Sequence, residues 1–230
     1  MELLNQDIRS ATKKKFDDEM KDKVTILLFT QEPGILVVPW RVPGQECQFC
    51  GETRQLLTEV SSLSDKIELQ VLDFVSQKDK AAVYGVDKIP AAVILGESDT
   101  RIRFFGVPSG YEYTSLVEAI VDASKRTTSL NSQTLTALKT LEKDVHIQIF
   151  VTPTCPHCTT AVRLGHQMAL ESARVRADMV ESMEFPHLVQ KYGVRGVPRT
   201  IMNETVTLDG ATPEDVFLAH VLEAAGQTKT

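Results

Sequence analysis

The sequence lacks any long hydrophobic run and any excess of basic residues. No stretch approaches the roughly 18 to 20 consecutive apolar residues that a membrane-spanning helix requires. The formal net charge of −6 disfavours nucleic acid or an anionic membrane as the main partner. Residues 1–20 also lack the apolar core of a secretory signal. We therefore expect a cytoplasmic protein that binds neither nucleic acid nor a membrane.

Cysteine is scarce, and its placement is not that of a disulfide framework. The four cysteines form two pairs with Cys-x-x-Cys spacing, Cys47 with Cys50 and Cys155 with Cys158. A secreted protein held together by disulfides would scatter its cysteines, and a chain of 230 residues can bury a core without them. Close pairs are typical of redox or metal chemistry. Because residues 51–154 lie between the two pairs, we expect no shared zinc site.

The chain contains an internal repeat that includes both cysteine pairs. The triplet Tyr84–Val86 in the first half matches Tyr192–Val194 in the second half. Each triplet is followed by a β-branched residue and a proline, Ile89-Pro90 or Val197-Pro198. In both halves the proline lies 40 residues after the second cysteine of the pair, since 90 − 50 and 198 − 158 are equal. The repeat of motif and spacing together indicates duplicated units.

Hydrophobic patterns around the repeat predict the same order of elements in both halves. The apolar runs 24–30 and 145–151 are typical of buried strands, and a helical pattern follows each cysteine pair. Each half opens with a helix and continues after the pair with a strand, a short helix, two strands and a closing helix. The polar segment 124–133 interrupts the pattern. We predict an α/β protein of two tandem domains, 1–124 and 125–230, each a central mixed β-sheet flanked by helices.

The spacing of cysteine pairs and prolines after buried strands resembles the thioredoxin superfamily. Two such units in one chain are similar to the protein disulfide oxidoreductases, a glutaredoxin-like and protein-disulfide-isomerase-like family. The resemblance covers about residues 5–226. It implies two thioredoxin-like domains with redox-active disulfides, no bound cofactor, and exchange with protein thiols and disulfides in cell redox homeostasis. It also implies that electrons are exchanged with glutathione or with a flavoprotein similar to thioredoxin reductase.

Within this fold, the segment from Cys155 to Cys158 would lie at the start of a helix. We predict that the helix begins at Cys155, where unpaired amides and roughly half a positive charge stabilise a thiolate. Cys155 is then the nucleophile, and Cys158, one turn further in, is the resolving thiol. Pro156 suits a helix start, and His157 can lower the pKa of the thiol further. Alternatively, His157 is a surface residue without a tuning role.

The prolines of the repeat are the third element of each predicted site. The resemblance implies that Pro90 and Pro198 are cis and face the cysteine pairs. It also implies that the backbone of Ile89 or Val197 binds an extended substrate, and that Pro198 keeps metals away from the thiols. The alternative is a loop proline between a helix and a strand, which the repeated spacing disfavours.

The first pair, Cys47 and Cys50, departs from the pattern of the second. Residues 31–46 separate it from its strand, and this segment holds three prolines, two glycines and the single tryptophan, Trp40. Two interpretations stay open. The segment is either an exposed loop that binds a partner or peptide near the site, or a loop that folds back over the pair.

A buried acid beneath the cysteines is a further feature that the resemblance implies. In the second half the usual position holds Ile149, which cannot accept a proton. Asp73 and Glu181 lie at equal distances before Pro90 and Pro198. We expect these two acids to have local polar roles only.

Together these features predict a protein thiol–disulfide oxidoreductase, acting as reductase, oxidase or isomerase, with the second pair as the principal site. The residues between Cys155 and Cys158 match those of strongly oxidising disulfide donors, which favours an oxidising or isomerising role. A reducing cytosol disfavours net disulfide formation. The nearest alternative is an electron relay from a flavoprotein disulfide reductase to a peroxidase or another target. A non-enzymatic peptide-binding module is less favoured.

Overall fold

The apolar runs that the sequence marks as buried strands form the centres of two similar halves. They are Val24–Thr30 (β1) and Val145–Val151 (β5), and in each only the second residue is partly exposed. Nearly continuous burial of this kind is expected of strands that are covered on both faces of a sheet. The computed structural model describes residues 3–31 and 47–227.

Both halves have the predicted order of elements. The first half consists of α1 (Gln6–Glu19), β1, α2 (Cys50–Ser61), β2 (Ile67–Asp73), α3 (Lys78–Val83), β3 (Ala91–Leu95), β4 (Asp99–Phe105) and α4 (Glu112–Lys125). The second half consists of α5 (Ser132–Lys139), β5, α6 (Cys158–Glu171), β6 (Val175–Glu181), α7 (Pro186–Lys191), β7 (Arg199–Met202), β8 (Val206–Asp209) and α8 (Glu214–Ala224). The division between residues 124 and 125 stays a prediction, and it falls one residue before the end of α4.

The strands of the two halves form one continuous mixed sheet. Its order is β2-β1-β3-β4-β6-β5-β7-β8, and the two halves meet where β4 pairs in parallel with β6. The mixed α/β class is confirmed, but the sequence predicted a separate sheet in each domain. Joining β4 to β6 pairs two strands that would otherwise be open sheet edges.

On the face of the sheet that α3 and α7 cover, the side chains change from charged to apolar toward the carboxyl ends of β4 and β6. At the carboxyl ends of β4 and β6, Phe105 and Val180 pack in one apolar cluster with residues of the two short helices. Side chains alternate between faces, so the residues two positions earlier share this face. These residues are Arg103 and Asp178, which are charged and each 1% exposed.

Arg103 and Asp178 form a buried ion pair at the seam between the halves. They are direct register partners on β4 and β6, and Arg103 Nε donates to Asp178 Oδ1 at 2.7 Å. Arg103 Nη1 also donates to the carbonyls of Tyr84 and Gly85, at 2.8 and 3.0 Å. His146 Nε2 lies 2.6 Å from Asp178 Oδ2. Burial alone would raise the pKa of Asp178, but the charges of Arg103 and His146 hold it well below its usual range.

The substitution Arg103→Gln should destabilise the fold strongly, because it leaves Asp178 buried without its partner. Removal of one member of a buried ion pair typically costs about 3–5 kcal/mol. Urea denaturation monitored by circular dichroism measures this loss as a lower denaturation midpoint with an unchanged m value. Lys13→Gln, which breaks an exposed pair with Asp17, is the control and should cost less than about 1 kcal/mol. Equal losses in the two variants would contradict the role given to Arg103.

Candidate redox sites

The second cysteine pair lies in the turn between β5 and α6. Cys155 and Cys158 are joined by a disulfide, with Cα atoms 5.5 Å apart. The Cys155 amide donates to the carbonyl of Thr152 at 3.1 Å, and the Cys158 amide donates to that of Cys155 at 3.4 Å. Cys155 is 8% exposed and Cys158 is fully buried. Of the two sulfurs, the one on Cys155 is therefore nearer to an incoming reactant.

The predicted start of the helix at Cys155 is wrong by three residues. Helix α6 begins at Cys158, and its N-cap residue is His157. Hydrogen bonds that reach back three residues hold the segment before Cys158 in turns, so the α-helical pattern starts only there. Pro156 and His157 lie exposed in this turn, and the His157 side chain makes no capping hydrogen bond. The tuning role of these two residues stays a prediction.

The first pair has the same local arrangement at the start of α2. Cys47 and Cys50 form a disulfide with Cα atoms 5.2 Å apart, and α2 begins at Cys50. The amide of Gln31 donates to Cys50 Sγ at 3.3 Å. Cys50 is buried and Cys47 is half-buried. Both interpretations concern the segment 31–46, of which residues 32–46, including Trp40, lie outside the described residues.

Each pair is accompanied by a cis proline from the repeat. The peptide bonds Ile89-Pro90 and Val197-Pro198 are both cis, as the resemblance implies. Ile89 packs in the same apolar cluster as Cys50, and Val197 packs against the cluster that contains Cys155 and Cys158. The two sites differ in access, because Ile89 is 2% exposed whereas Val197 is half-buried.

Glu112 is a candidate site residue that sequence reasoning missed. It comes from the first half, in the first turn of α4, and the amide of its neighbour Tyr111 donates to the Pro153 carbonyl at 2.9 Å. Pro153 lies two residues before Cys155 in the turn. Glu112 is buried, and neither of its carboxyl oxygens has a hydrogen-bond partner within the described part of the chain. In sequence it is an ordinary acid at a helix start.

Burial gives this carboxyl group an unusual proton affinity. It raises the pKa of Glu112 to about 7, because the charged form loses its hydration. A carboxyl group with this pKa can gain or lose a proton near neutral pH. Burial also raises the pKa of Glu181, but this carboxylate is engaged by the Glu184 amide.

Two further acids act locally, as expected. Asp73 Oδ1 accepts from the Ser76 amide, and Glu181 Oε2 accepts from the Glu184 amide, both at 2.7 Å. Glu184 then reaches across the seam, and its Oε1 accepts from the Val107 amide of the first half at 2.6 Å. These carboxylates fix turns next to the sites.

Neither a metal cluster nor a membrane helix is present among residues 3–31 and 47–227. No three His, Cys, Asp or Glu side chains in those ranges are placed to hold a metal ion. Within the same ranges, no helix combines the length and the apolar character needed to cross a bilayer.

Comparisons with known proteins agree with this geometry. A family model described as a thioredoxin domain matches residues 145–223. The protein disulfide oxidoreductase of Aeropyrum pernix K1 is 28% identical, with a TM-score of 0.86, and the match covers 98% of this chain and 96% of that chain. The NTD_N/C domain of alkylhydroperoxide reductase AhpF from Enterococcus faecalis V583 is 26% identical, with a TM-score of 0.83 and coverage of 95% and 99%.

Curated relatives match a smaller share of the chain. An alkyl hydroperoxide reductase component of Staphylococcus aureus Mu50 is 26% identical over 153 residues, which are 66% of this chain and 27% of that protein. A protein named NADH dehydrogenase from Bacillus subtilis 168 is 24% identical over 148 residues, 64% of this chain and 27% of that protein. The chain thus spans about a quarter of the length of these relatives.

The two halves share one arrangement, each with a disulfide-bonded Cys-x-x-Cys pair and a cis proline, and this is the fold of the thioredoxin superfamily, whose domain model matches residues 145–223. Within it, the chain resembles the two-domain protein disulfide oxidoreductases over nearly its whole length. The two disulfides and these similarities support thiol–disulfide redox activity in general.

Glu112 should make the stability of the fold fall as pH rises. Its folded pKa of about 7 lies above the ordinary value of 4.5, so the folded state holds the proton more tightly. The contribution of Glu112 to the free energy of unfolding is then fully present below about pH 4.5 and is lost as pH rises to about 7. Glu112→Gln removes this decline. The free energy of unfolding of the variant minus that of the parent should therefore rise by about 3 kcal/mol between pH 4 and pH 8. Urea titrations at the two pH values measure the difference, and a constant difference would contradict the assignment.

Proposed function

We propose that the chain is a protein thiol–disulfide oxidoreductase whose principal site is Cys155 and Cys158. The observation that carries the proposal is the unequal exposure of this pair, since Cys155 is 8% exposed and Cys158 is fully buried. A nucleophilic thiol must be reachable by a substrate disulfide, whereas a resolving thiol must be protected from it. Cys155 and Cys158 differ in this way.

In the reducing direction, the Cys155 thiolate attacks one sulfur of a substrate disulfide. The substrate S–S bond breaks, a mixed disulfide with Cys155 forms, and the first substrate thiolate leaves and takes up a proton. The Cys158 thiolate then attacks Cys155 Sγ, which releases the second substrate thiol and forms the Cys155–Cys158 disulfide. Two electrons pass to the substrate, and the reverse sequence oxidises a dithiol.

Glu112 is the group that we assign to the proton of the Cys158 thiol. The second step requires Cys158 to lose its proton inside the apolar core, where no bulk water can accept it. A carboxylate with a pKa near 7 can accept that proton at neutral pH and return it in the reverse direction. Ile149 occupies the usual position of such an acid, so the first half supplies it instead.

Exposed apolar side chains next to the second pair favour a protein substrate. Met183 is 76% exposed, and the amide of the preceding Ser182 donates to the carbonyl of Val151, just before the cysteine turn. Tyr111 is exposed on the other half, next to Pro153. Side chains of this kind bind unfolded or partly folded segments that carry disulfides. The half-buried backbone of Val197 offers such a segment an extended partner.

The first pair has a secondary role in this proposal. Ile89, which would bind substrate there, is buried, and Lys88 beside it is buried too, with its ammonium group 3.9 Å from the Phe105 ring centroid. The Cys47–Cys50 disulfide is then suited to passing electrons between a reductant and the second pair. Glutathione or a flavoprotein similar to thioredoxin reductase is the proposed reductant.

An electron relay is the second candidate function. The curated relatives favour it, because they are named for peroxide reduction and NADH oxidation. A region similar to this chain makes up about a quarter of each of them. The same two pairs would accept electrons from a flavoprotein disulfide reductase and deliver them to a peroxidase or another disulfide.

Paired substitutions test the ranking of the two sites. The double variant Cys155→Ser with Cys158→Ser should lower dithiothreitol-driven insulin reduction at least about tenfold, because it removes the proposed nucleophile. The matched variant Cys47→Ser with Cys50→Ser should keep about half of the activity or more. Turbidity from precipitated insulin chains gives the rate. Equal losses would refute the ranking, and no loss in either variant would favour a binding module.

The reduction potential of the second pair tests the direction of exchange. Equilibration of the Cys47→Ser/Cys50→Ser variant with glutathione should give a potential above the roughly −270 mV of thioredoxin, since the residues between Cys155 and Cys158 match those of strongly oxidising disulfide donors. Alkylation of free thiols followed by mass spectrometry gives the fraction of the second pair that is in the dithiol form. A value at or below about −270 mV would contradict the oxidising role and favour the reductase and relay roles.

A further inference from the structure

A basic pocket lies at the end of the sheet opposite to the cysteine pairs. The cysteines follow the carboxyl ends of β1 and β5, whereas this pocket opens at the amino ends of β4, β5 and β6. Its volume is about 220 Å³. The polar residues that line it are Arg101, Asp144, His146, Arg174, Arg176 and Asn203.

Two of these arginines lie side by side across the seam. The pairing of Ile102 with Ala177 places Arg101 and Arg176 at neighbouring positions of β4 and β6, where strands are about 4.8 Å apart. By alternation Arg176 shares a face of the sheet with Asp178, the partner of Arg103. Arg101 has a positive φ of 60°, so alternation does not place its side chain, but it lines the same pocket. The guanidinium groups of Arg103 and Arg176 therefore adjoin at the seam, and Arg101 lines the pocket next to them.

Carboxylates neutralise only part of this charge. Arg103 is fully engaged by Asp178 and by two backbone carbonyls, and Arg174 pairs with Asp144 at 3.0 Å on the surface. Arg101 and Arg176 make no ion pair within the described ranges. Arg176 Nε is buried there without a hydrogen-bond partner.

The surroundings of Arg176 make an unpaired cation unfavourable. Burial, followed by the charge of Arg103, lowers the pKa of Arg176, while Asp178 and Asp87 offset part of this effect. Gly85 lies directly under the group, and a Cβ there would clash with the guanidinium groups of both Arg103 and Arg176. The Arg176 side chain is thus packed in place over the seam rather than extended into water.

Planar guanidinium groups held in this way match the oxygens of a phosphate group, because each can donate two parallel hydrogen bonds. We propose that the pocket binds a phosphate group between Arg101 and Arg176, with His146 forming its wall on β5. The Asn203 side chain is not a ligand, because it is bonded to the His146 amide and to the carbonyls of Asp144 and Ala224. The phosphate comes either from inorganic phosphate or from a small phosphate ester, and the pocket is large enough for either.

Isothermal titration of the full chain with inorganic phosphate in a low-salt buffer tests this inference. We expect saturable binding of one phosphate per chain. Arg176→Gln and Arg101→Gln should each weaken it at least about tenfold, the effect of losing a charge-assisted hydrogen bond. Arg176→Lys, which keeps the charge but loses the fork, should weaken it less than Arg176→Gln. Adenosine monophosphate in place of phosphate distinguishes the sources, since tighter binding points to an ester and equal or weaker binding to free phosphate.

Arg195→Gln is the matched control, because it removes the same charge from an exposed arginine outside the pocket. It should bind phosphate as the parent does. Circular dichroism and insulin reduction verify that the pocket variants stay folded and redox-competent. The absence of saturable binding in the parent, or equal weakening in Arg195→Gln and Arg176→Gln, would overturn the proposal. Because redox activity is measured separately, this failure is distinct from a failure of the proposed function.

Discussion

The buried ion pair between Arg103 and Asp178 is the constraint on which the arrangement of the two halves depends. A charge removed from water is tolerated only when a partner and hydrogen bonds replace its hydration. Arg103 and Asp178 satisfy each other only in the register that pairs β4 with β6. An alternative register in a closed seam would leave each charge buried without its partner. The pair thus specifies one placement of the first half on the second.

This fixed placement allows the two halves to share one site. Glu112 belongs to the first half, yet its helix begins beside the turn that carries Cys155, and Tyr111 is bonded to that turn. Glu184 makes the reciprocal contact from the second half to Val107. Since both bonds cross between the halves, a rigid seam holds the acid at a constant position relative to the cysteines. Neither half contains all of the proposed machinery by itself.

The sequence alone predicted the features that are local or repeated. The strands β1 and β5 and the order of elements follow from hydrophobic runs, and the repeat follows from the equal spacing of Pro90 and Pro198. That these two prolines are cis was implied by the resemblance. The exact start of α6 did not follow, because hydrogen bonds within the turn decide it. The role of Glu112 and the pairing of β4 with β6 were also out of reach. Both depend on contacts between segments far apart in the chain, and a first-turn acid has an ordinary local explanation.

The same seam connects the basic pocket with the first redox site. Gly85 lies beneath Arg103 and Arg176, and its carbonyl accepts from Arg103. Its positive φ of 64° is favourable for glycine, and four residues later the chain reaches Ile89 and the cis bond to Pro90. Arg176 and the first proline are therefore in contact with the same loop, Arg176 at Gly85 and the proline at its end. The loop from Tyr84 to Pro90 thus packs against the charged end of the sheet at Gly85 and reaches the proline of the first redox site five residues later.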